Sequence, residues 1–515
     1  MHPSEAKSLP ELVELAASSF GEKTAVEDKG KTINFIQLCL DSKKASLSLQ
    51  RLGIKRGHKV CIWAPNCYEW IIIAIAIQNL GAVLVPLNTR LKGKEASYIL
   101  KKSEVEILFT MKNFLGKDYS DLLKSEDLGN LKETIFLDKK IGSSSWQDFL
   151  RLAGDETIHD IEFPKEDDIA DIIFTSGTTG NPKGVMVSQG QNIKVFETWS
   201  RHVGLKEGDR YLIVNPFFHT FGYKAGWLSC LMRGAVIFPH QVFDADSVLQ
   251  KIEEKQITVL PGPPTLFQTI LSSPNFNSFN ISSLKLAITG AASIPVQLIK
   301  DMQEIMGFEI VLTAYGLTET TGVVTMCLPG DDPFLIANTS GKAIEGVEVK
   351  CLDKSGKEVE TGEPGEIHVK GYNVMVAYYQ DKKETKETIN SEGWLKTGDI
   401  GILDSSGYLK ITDRSKDMFT VGGFNTYPAE IENILSKHKE IVLSAVIGKP
   451  DKRLGEVAKA YVVLNEESQL NEVTLIDWCK DNMANYKVPR EIVFVKELPL
   501  NAAGKVMKFK LRESE

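Results

Sequence analysis

The chain has 515 residues, 43% hydrophobic and 25% charged, with a formal net charge of −8. This is ordinary globular composition in a chain longer than one hydrophobic core usually serves, so at least two domains are expected. The negative balance argues against nucleic acid or an anionic membrane as the main partner. Small anions stay open, because they respond to the local field of a site.

Ser8-Leu9-Pro10-Glu11 has the spacing of a capping box opening a helix, with Pro10 in its first turn. Strand-like runs at Thr24 to Val26 and around Ile33 precede an amphipathic helix through Phe35, Leu38, Leu49 and Leu52, closed by Gly53. His58 to Trp63 and Gly81 to Leu87 read as strands. The most apolar stretch, Trp70 to Leu87, is broken by Gln78, Asn79 and Gly81, which makes it a buried helix and a strand rather than a membrane span. Seven cysteines without metal-ligand spacing, and a start that lacks a signal peptide, point to reduced thiols in a cytoplasmic protein.

Ile169 to Phe174 reads as a buried strand. It runs into Phe174-Thr175-Ser176-Gly177-Thr178-Thr179-Gly180-Asn181-Pro182-Lys183-Gly184, after which a segment of helical character is expected. The glycines Gly177, Gly180 and Gly184 let backbone approach a ligand, the hydroxyls and amides donate, and Lys183 adds positive charge, which suits the terminal phosphates of a nucleotide. Pro182 stands where a Walker loop needs glycine, so that pattern fails. Strands at 211–214, 235–238, 257–260, 286–289 and 310–313 alternate with helix-length segments, an α/β pattern of layered, parallel-rich sheets. From about Val347 shorter strands and glycine turns suggest a β-rich subdomain, and Asp413-Arg414-Ser415-Lys416 is a charged break before a small α+β unit.

The phosphate loop resembles that of the adenylate-forming superfamily of acyl-CoA synthetases, adenylation domains and luciferases, and the family's other stretches follow in order over almost the whole chain. The resemblance implies a large adenylation domain over 1–412, a hinge at 413–416 with Lys416 as the pivot, and a mobile C-terminal domain over 417–515. It assigns the nucleotide to Thr175, Ser176, Gly177, Thr178, Thr179, Gly180 and Lys183, together with Tyr315-Gly316-Leu317-Thr318-Glu319. In that second stretch Thr318 meets the α-phosphate and Glu319 holds Mg²⁺. Asp399 offers two acceptor oxygens to the ribose diol, Arg414 also meets the ribose, and Lys505 bridges carboxylate and α-phosphate. Phe218, His219 and Phe221 would wall the acyl pocket, with His219 as a gate. Gly290, Ala291 and Ala292 would form its other wall, or simply pack tightly at a strand end. Gly422 and Gly423 would line the pantetheine channel.

Three positions depart from the family pattern: Ser188-Gln189 after the loop, Gly341-Lys342-Ala343-Ile344-Glu345-Gly346 where a proline-rich turn is usual, and Phe424 in place of a polar residue. Lys224 would meet a keto or carboxyl oxygen of a ring-bearing acid, or else snorkel at the surface. With Gly423-Phe424-Asn425, this stretch resembles ligases for the bicyclic keto-acid left by steroid ring degradation, with a fatty acid as the competitor. The implied activity is acyl-CoA synthesis from a carboxylic acid, ATP and CoA through an acyl-adenylate, with Mg²⁺. A carrier-protein-loading enzyme and a non-catalytic nucleotide- or acyl-binding protein are the alternatives, and a homodimer is left open.

Overall fold

A computed structural model of the protein describes residues 2–138, 144–154, 162–175, 182–290, 294–414, 417, 419–421, 424–451, 454–465, 468–483, 485–500 and 506–513. Two large sheets take all the strands as far as Ala343 and also Ala377–Tyr378; both are parallel through the middle, the first with antiparallel strands at both edges and the second at one. In the nine-stranded sheet, Ile310–Tyr315, Leu286–Gly290, Val259–Pro261, Arg210–Ile213, Val236–Pro239 and Thr24–Asp28 run parallel. Thr325–Met326 and Lys342–Ala343 flank one side of that sheet and Lys31–Asn34 the other. The seven-stranded sheet orders Ala377–Tyr378, Lys183–Ser188, Ile169–Thr175, Val83–Pro86, Lys59–Trp63, Val105–Thr110 and Glu133–Phe136.

The helix Tyr68–Asn79 explains how the two sheets stack. Residues from Trp70 to Ile77 are at most 2% exposed on every side, so this helix has no solvent face and belongs between layers. The same apolar cluster takes in residues of both sheets and of the helices Leu9–Phe20, Phe35–Arg51 and Gln189–His202. A four-stranded antiparallel sheet (Val347–Leu352, Pro364–Gly371, Leu395–Leu403, Leu409–Arg414) follows. Beyond it lies a five-stranded sheet around Ile441–Asp451 and Gly455–Leu464. Its apolar clusters draw only on residues 419 to 511.

The expected strands lie within two residues of their places, with two local corrections. The segment after the phosphate loop is first a strand, Lys183–Ser188, which pairs antiparallel with Ile169–Thr175, and the helix begins only at Gln189. Gly184 serves this hairpin rather than a ligand, since a Cβ there would stand 2.8 Å from Ile172 Cγ2 and 3.0 Å from Phe174 Cζ. At the first helix, Ser8 Oγ accepts from Glu11 N at 3.4 Å. The Glu11 carboxylate accepts instead from Lys7 N at 2.7 Å, so the reciprocal bond sits one residue early. All seven cysteines are buried and unpaired. Among the described residues no helix is long and apolar enough to cross a membrane.

Gly341 tests the packing directly. Its φ is +79°, and a Cβ would fall 1.8 Å from the Met326 carbonyl carbon, whereas Gly356, at φ +83°, has open space around it. Gly356→Ala should cost about the 1–2 kcal/mol of left-handed backbone alone, and Gly341→Ala should depress the melting temperature much further. Equal shifts in thermal unfolding would show that the Met326 contact is not limiting.

Candidate active site

Four of the strands that end at one place carry the site. Ile169–Thr175 ends at Thr175, the residue before the phosphate loop, and Ile310–Tyr315 ends at Tyr315. Leu286–Gly290 ends at Gly290, paired with Ala314, and Arg210–Ile213 leads into Asn215 to Gly222. Parallel sheets bind ligands beyond such carboxyl ends, where loops leave the hydrogen-bonded ladder.

Glu319 lies in the single turn Thr318–Thr320. Its Oε1 is 3.5 Å from Thr175 Oγ1 and accepts from Tyr378 Oη at 2.9 Å. Burial and the adjacent Glu319 carboxylate push the Tyr378 phenol well above its ordinary value, which keeps it a donor. Lys183, paired across the hairpin with Thr175, forms an ion pair with Glu384 and lies 5.3 Å from the Tyr378 ring centroid. Tyr315 Oη donates to Asp399 Oδ2 at 2.7 Å. The backbone of Arg414 is the cross-strand partner of Asp399, which places both expected ribose residues at one sheet position. Thr175, Lys183, Tyr315, Gly316, Thr318, Glu319 and Asp399 are thus brought together. Ser176, Gly177, Thr178, Thr179, Gly180, Ala291, Ala292, Lys416, Gly422, Gly423 and Lys505 lie outside the described residues, as does the side chain of Arg414.

On the acyl side, His219 caps the short turn Thr220–Gly222, its Nδ1 accepting from Phe221 N at 3.3 Å. Phe218 is 9% exposed and Phe221 half-buried. A Cβ on Gly222 would collide with Asn215 O and Pro216 O at 2.3 Å, so the stretch folds back on itself. A Cβ on Gly322 would reach Thr220 Cβ at 3.2 Å, and that contact lays the acyl stretch against the nucleotide turn. Gly290 is required by the sheet itself, since a Cβ there would stand 2.7 Å from Ala314 O. Lys224 corrects both expectations placed on it. Its side chain is 0% exposed and its Nζ is 2.9 Å from Asp171 Oδ1, so its charge is spent on a buried partner and is offered neither to an acyl oxygen nor to solvent. Burial pushes this ammonium below its ordinary value, against the carboxylate that holds it up.

Several residues of the site escape sequence reading. Tyr378 and Glu384 come from a segment 59 and more residues away from the groups they bind. Asn66, 3% exposed, donates to Ile213 O (3.1 Å) and Asn215 O (2.9 Å) and accepts from Phe217 N (2.7 Å), fixing the start of the acyl stretch. Gln189, one of the departures from the family pattern, is 1% exposed and turned inward, donating to Gln78 Oε1 at 3.0 Å.

The model of the family described as AMP-binding enzyme matches residues 13–379, and that of the AMP-binding enzyme C-terminal domain matches 430–505. A methyl-dioxo-octahydroindenyl-propanoyl:CoA ligase of Rhodococcus jostii is 44% identical over 98% of both chains. Its namesake in Mycobacterium tuberculosis is 43% identical over 91% of both. Among solved structures, the anthranilate CoA ligase AuaEII in complex with anthranoyl-AMP superposes with a TM-score of 0.91 at 29% identity, covering 100% of this chain and 99% of that one. The chain therefore belongs to the AMP-binding enzyme family. It is an ATP-dependent, AMP-forming acid–thiol ligase that works with Mg²⁺ and CoA. The donor set fits that metal: Glu319 supplies one hard carboxylate beside the Thr175 hydroxyl, and Mg²⁺ is commonly held by one or two carboxylates with phosphate oxygens completing the shell.

Two substitutions probe this geometry. Tyr378→Phe removes a hydrogen bond to a carboxylate and should raise the Mg²⁺ concentration needed for half-maximal pyrophosphate release about tenfold. An unchanged Mg²⁺ requirement would mean that Tyr378 does not orient Glu319. Glu384→Gln frees Lys183 from its ion pair and should lower KM for ATP, whereas a raised KM would show that Glu384 instead holds the lysine in its working position.

Proposed function

We propose that this ligase activates a bicyclic, keto-bearing propanoic acid and transfers it to CoA. The observation that carries the reading is the 44% identity, over 98% of both chains, to a ligase whose name specifies such an acid. In the adenylation step a carboxylate oxygen attacks the α-phosphorus of ATP, the bond to the β-phosphate oxygen breaks and pyrophosphate leaves. The phosphate-loop residues and Lys183 hold the pyrophosphate portion, Thr318 meets the α-phosphate, and Asp399 with Arg414 holds the ribose. Lys505 places a mobile positive charge between carboxylate and α-phosphate. Mg²⁺ on Glu319 would neutralise phosphate charge as the leaving group departs. Phe218, His219 and Phe221 shape the acyl wall, with His219 as a gate.

In the second step the CoA thiol, losing its proton, attacks the acyl carbon and AMP leaves with the carboxyl oxygen it carries. We infer a unit over 1–412, a hinge at 413–416 about Lys416, and a unit over 417–515 that turns to bring Gly422 and Gly423 to the thiol. The separate apolar clusters of residues 419 to 511 support this division. Seven buried, unpaired thiols support a cytoplasmic setting.

AMP and pyrophosphate are measured over a panel of straight-chain, aromatic and bicyclic keto-acids, with and without CoA, for the wild type and Lys505→Ala. The expected result is CoA-dependent turnover that is strongest on the bicyclic acids, abolished by chelation and restored by Mg²⁺. Adenylation should fall by orders of magnitude in Lys505→Ala. Preference for straight chains would overturn the substrate, and adenylate without thioester would point to carrier-protein loading.

A further inference from the structure

Asp171 and Lys224 form an ion pair in which both side chains are 0% exposed. The second carboxylate oxygen of Asp171 accepts from Asn192 Nδ2 at 2.7 Å. One carboxylate thereby ties three segments: the strand that ends at Thr175, the helix Gln189–His202, and the turn that follows His219. Lys224 stands in a π-helical stretch, Tyr223–Leu228, interrupted at Gly226 (φ −87°, ψ −107°). The Lys224 carbonyl accepts from Ser229 Oγ at 2.9 Å, and Tyr223 N bonds back to His219 O at 3.0 Å. Next to it Tyr223 Oη accepts from Gln78 Nε2 at 2.8 Å.

Stability does not account for such a pair. Taking two charges out of water costs about as much as their attraction returns, and apolar residues of the same volume often do as well or better. An ion pair supplies direction instead. A π-helical turn carries an extra residue and packs less regularly than an α-helix. An apolar contact would let it slip, whereas an ammonium bound to a carboxylate already fixed by Asn192 would not. Asp171 lies four residues before Thr175, and Lys224 lies five after His219. The pair therefore sets the distance between the last strand residue before the phosphate loop and the acyl wall.

We propose that Asp171 and Lys224 are positioning residues that hold the His219–Phe221 wall in register with the phosphate-loop strand, so that the acid's carboxylate meets the α-phosphate in line. This rests on the ligase reading above. The pair acts in adenylation, because thiol attack uses an acyl-adenylate already formed. Its loss should lower the adenylation rate and leave thioester formation from supplied acyl-adenylate intact.

Two variants test this. The double change Asp171→Asn with Lys224→Met removes both charges at nearly constant volume. Asp171→Asn alone keeps the tie to the helix, because Asn192 Oδ1 has no hydrogen-bond partner among the described residues and the amide can turn to accept from the new one, but it leaves the buried Lys224 ammonium without its carboxylate and lowers stability. Pyrophosphate release without CoA, KM for the acid and for ATP, the melting temperature and thioester formation from supplied acyl-adenylate are measured for both. The expected result is a melting temperature close to wild type for the double variant and a lower one for Asp171→Asn, with adenylation slowed at least tenfold in both, a raised KM for the acid, an unchanged KM for ATP, and thioester formation within about twofold. Wild-type adenylation in either well-folded variant, or equal loss in both half-reactions, would overturn the proposal. No pyrophosphate from the unchanged enzyme would remove the ligase premise, and the proposal with it.

Discussion

The carbonyl oxygen of Gly322 lies 2.2 Å from where a Cβ on residue 316 would be. The segment from Tyr315 to Gly322 closes on itself only because residue 316 has no side chain, and most of the site hangs from that closure. Thr321 sits in left-handed conformation (φ 55°), and its Oγ1 donates to Asn373 O at 2.8 Å. Asn373, with no exposed surface, donates to Val323 O at 2.8 Å. Met375 N bonds to Glu319 O at 2.8 Å. These bonds bring the 373–378 segment alongside, and with it Tyr378, whose hydroxyl reaches the Glu319 side chain. The closed turn thus places the Glu319 carboxylate and the Tyr378 hydroxyl that bonds to it in one step.

The site is built from contacts between remote segments, and that is why it was only partly legible. Strand positions follow from runs of Val, Ile and Leu between glycine and proline breaks, a local signal, and they fell within two residues of their places. The candidate site residues legible in the chain are those in short, contiguous strings, such as Tyr315 to Glu319 or Asn215 to Gly222. Tyr378, Glu384, Asn66 and Asp171 touch those stretches or their supports, yet each bonds to a partner far along the chain, for which periodicity holds no trace.

Lys224 shows the limit most sharply. A charge next to an expected helix start points to a ligand or the solvent, because a lone lysine is almost never fully buried. The clue lay in two places at once. Asp171 interrupts Ile169-Ala170-Asp171-Ile172-Ile173, a run buried on both faces, and Lys224 interrupts Tyr223-Lys224-Ala225-Gly226-Trp227-Leu228. Each charge alone would be prohibitively costly in such surroundings. Two opposite charges in two apolar runs are a reason to expect that they meet. Gln189, a departure from the family pattern, likewise has a partner far along the chain: its amide spans Gln78 and Leu9 N within the core.

The groups intended for the nucleotide share one further property. Lys183 has Glu384, Asp399 has Tyr315, and Glu319 has Tyr378 and Thr175, so none of these partly or fully buried polar groups relies on ATP for its first partner. An uncompensated charge at the end of two sheets would destabilise the ligand-free protein by several kcal/mol. On the roles proposed above, nucleotide binding would be an exchange, with phosphate replacing Glu384 at Lys183 and ribose joining Tyr315 at Asp399. Exchange weakens ground-state binding, because each new contact displaces an old one, and it leaves the transition-state contacts to groups brought in later. A ligase that must release AMP after every turnover gains from that arrangement: tight ground-state binding of the nucleotide would slow the last step without lowering the barrier to the first.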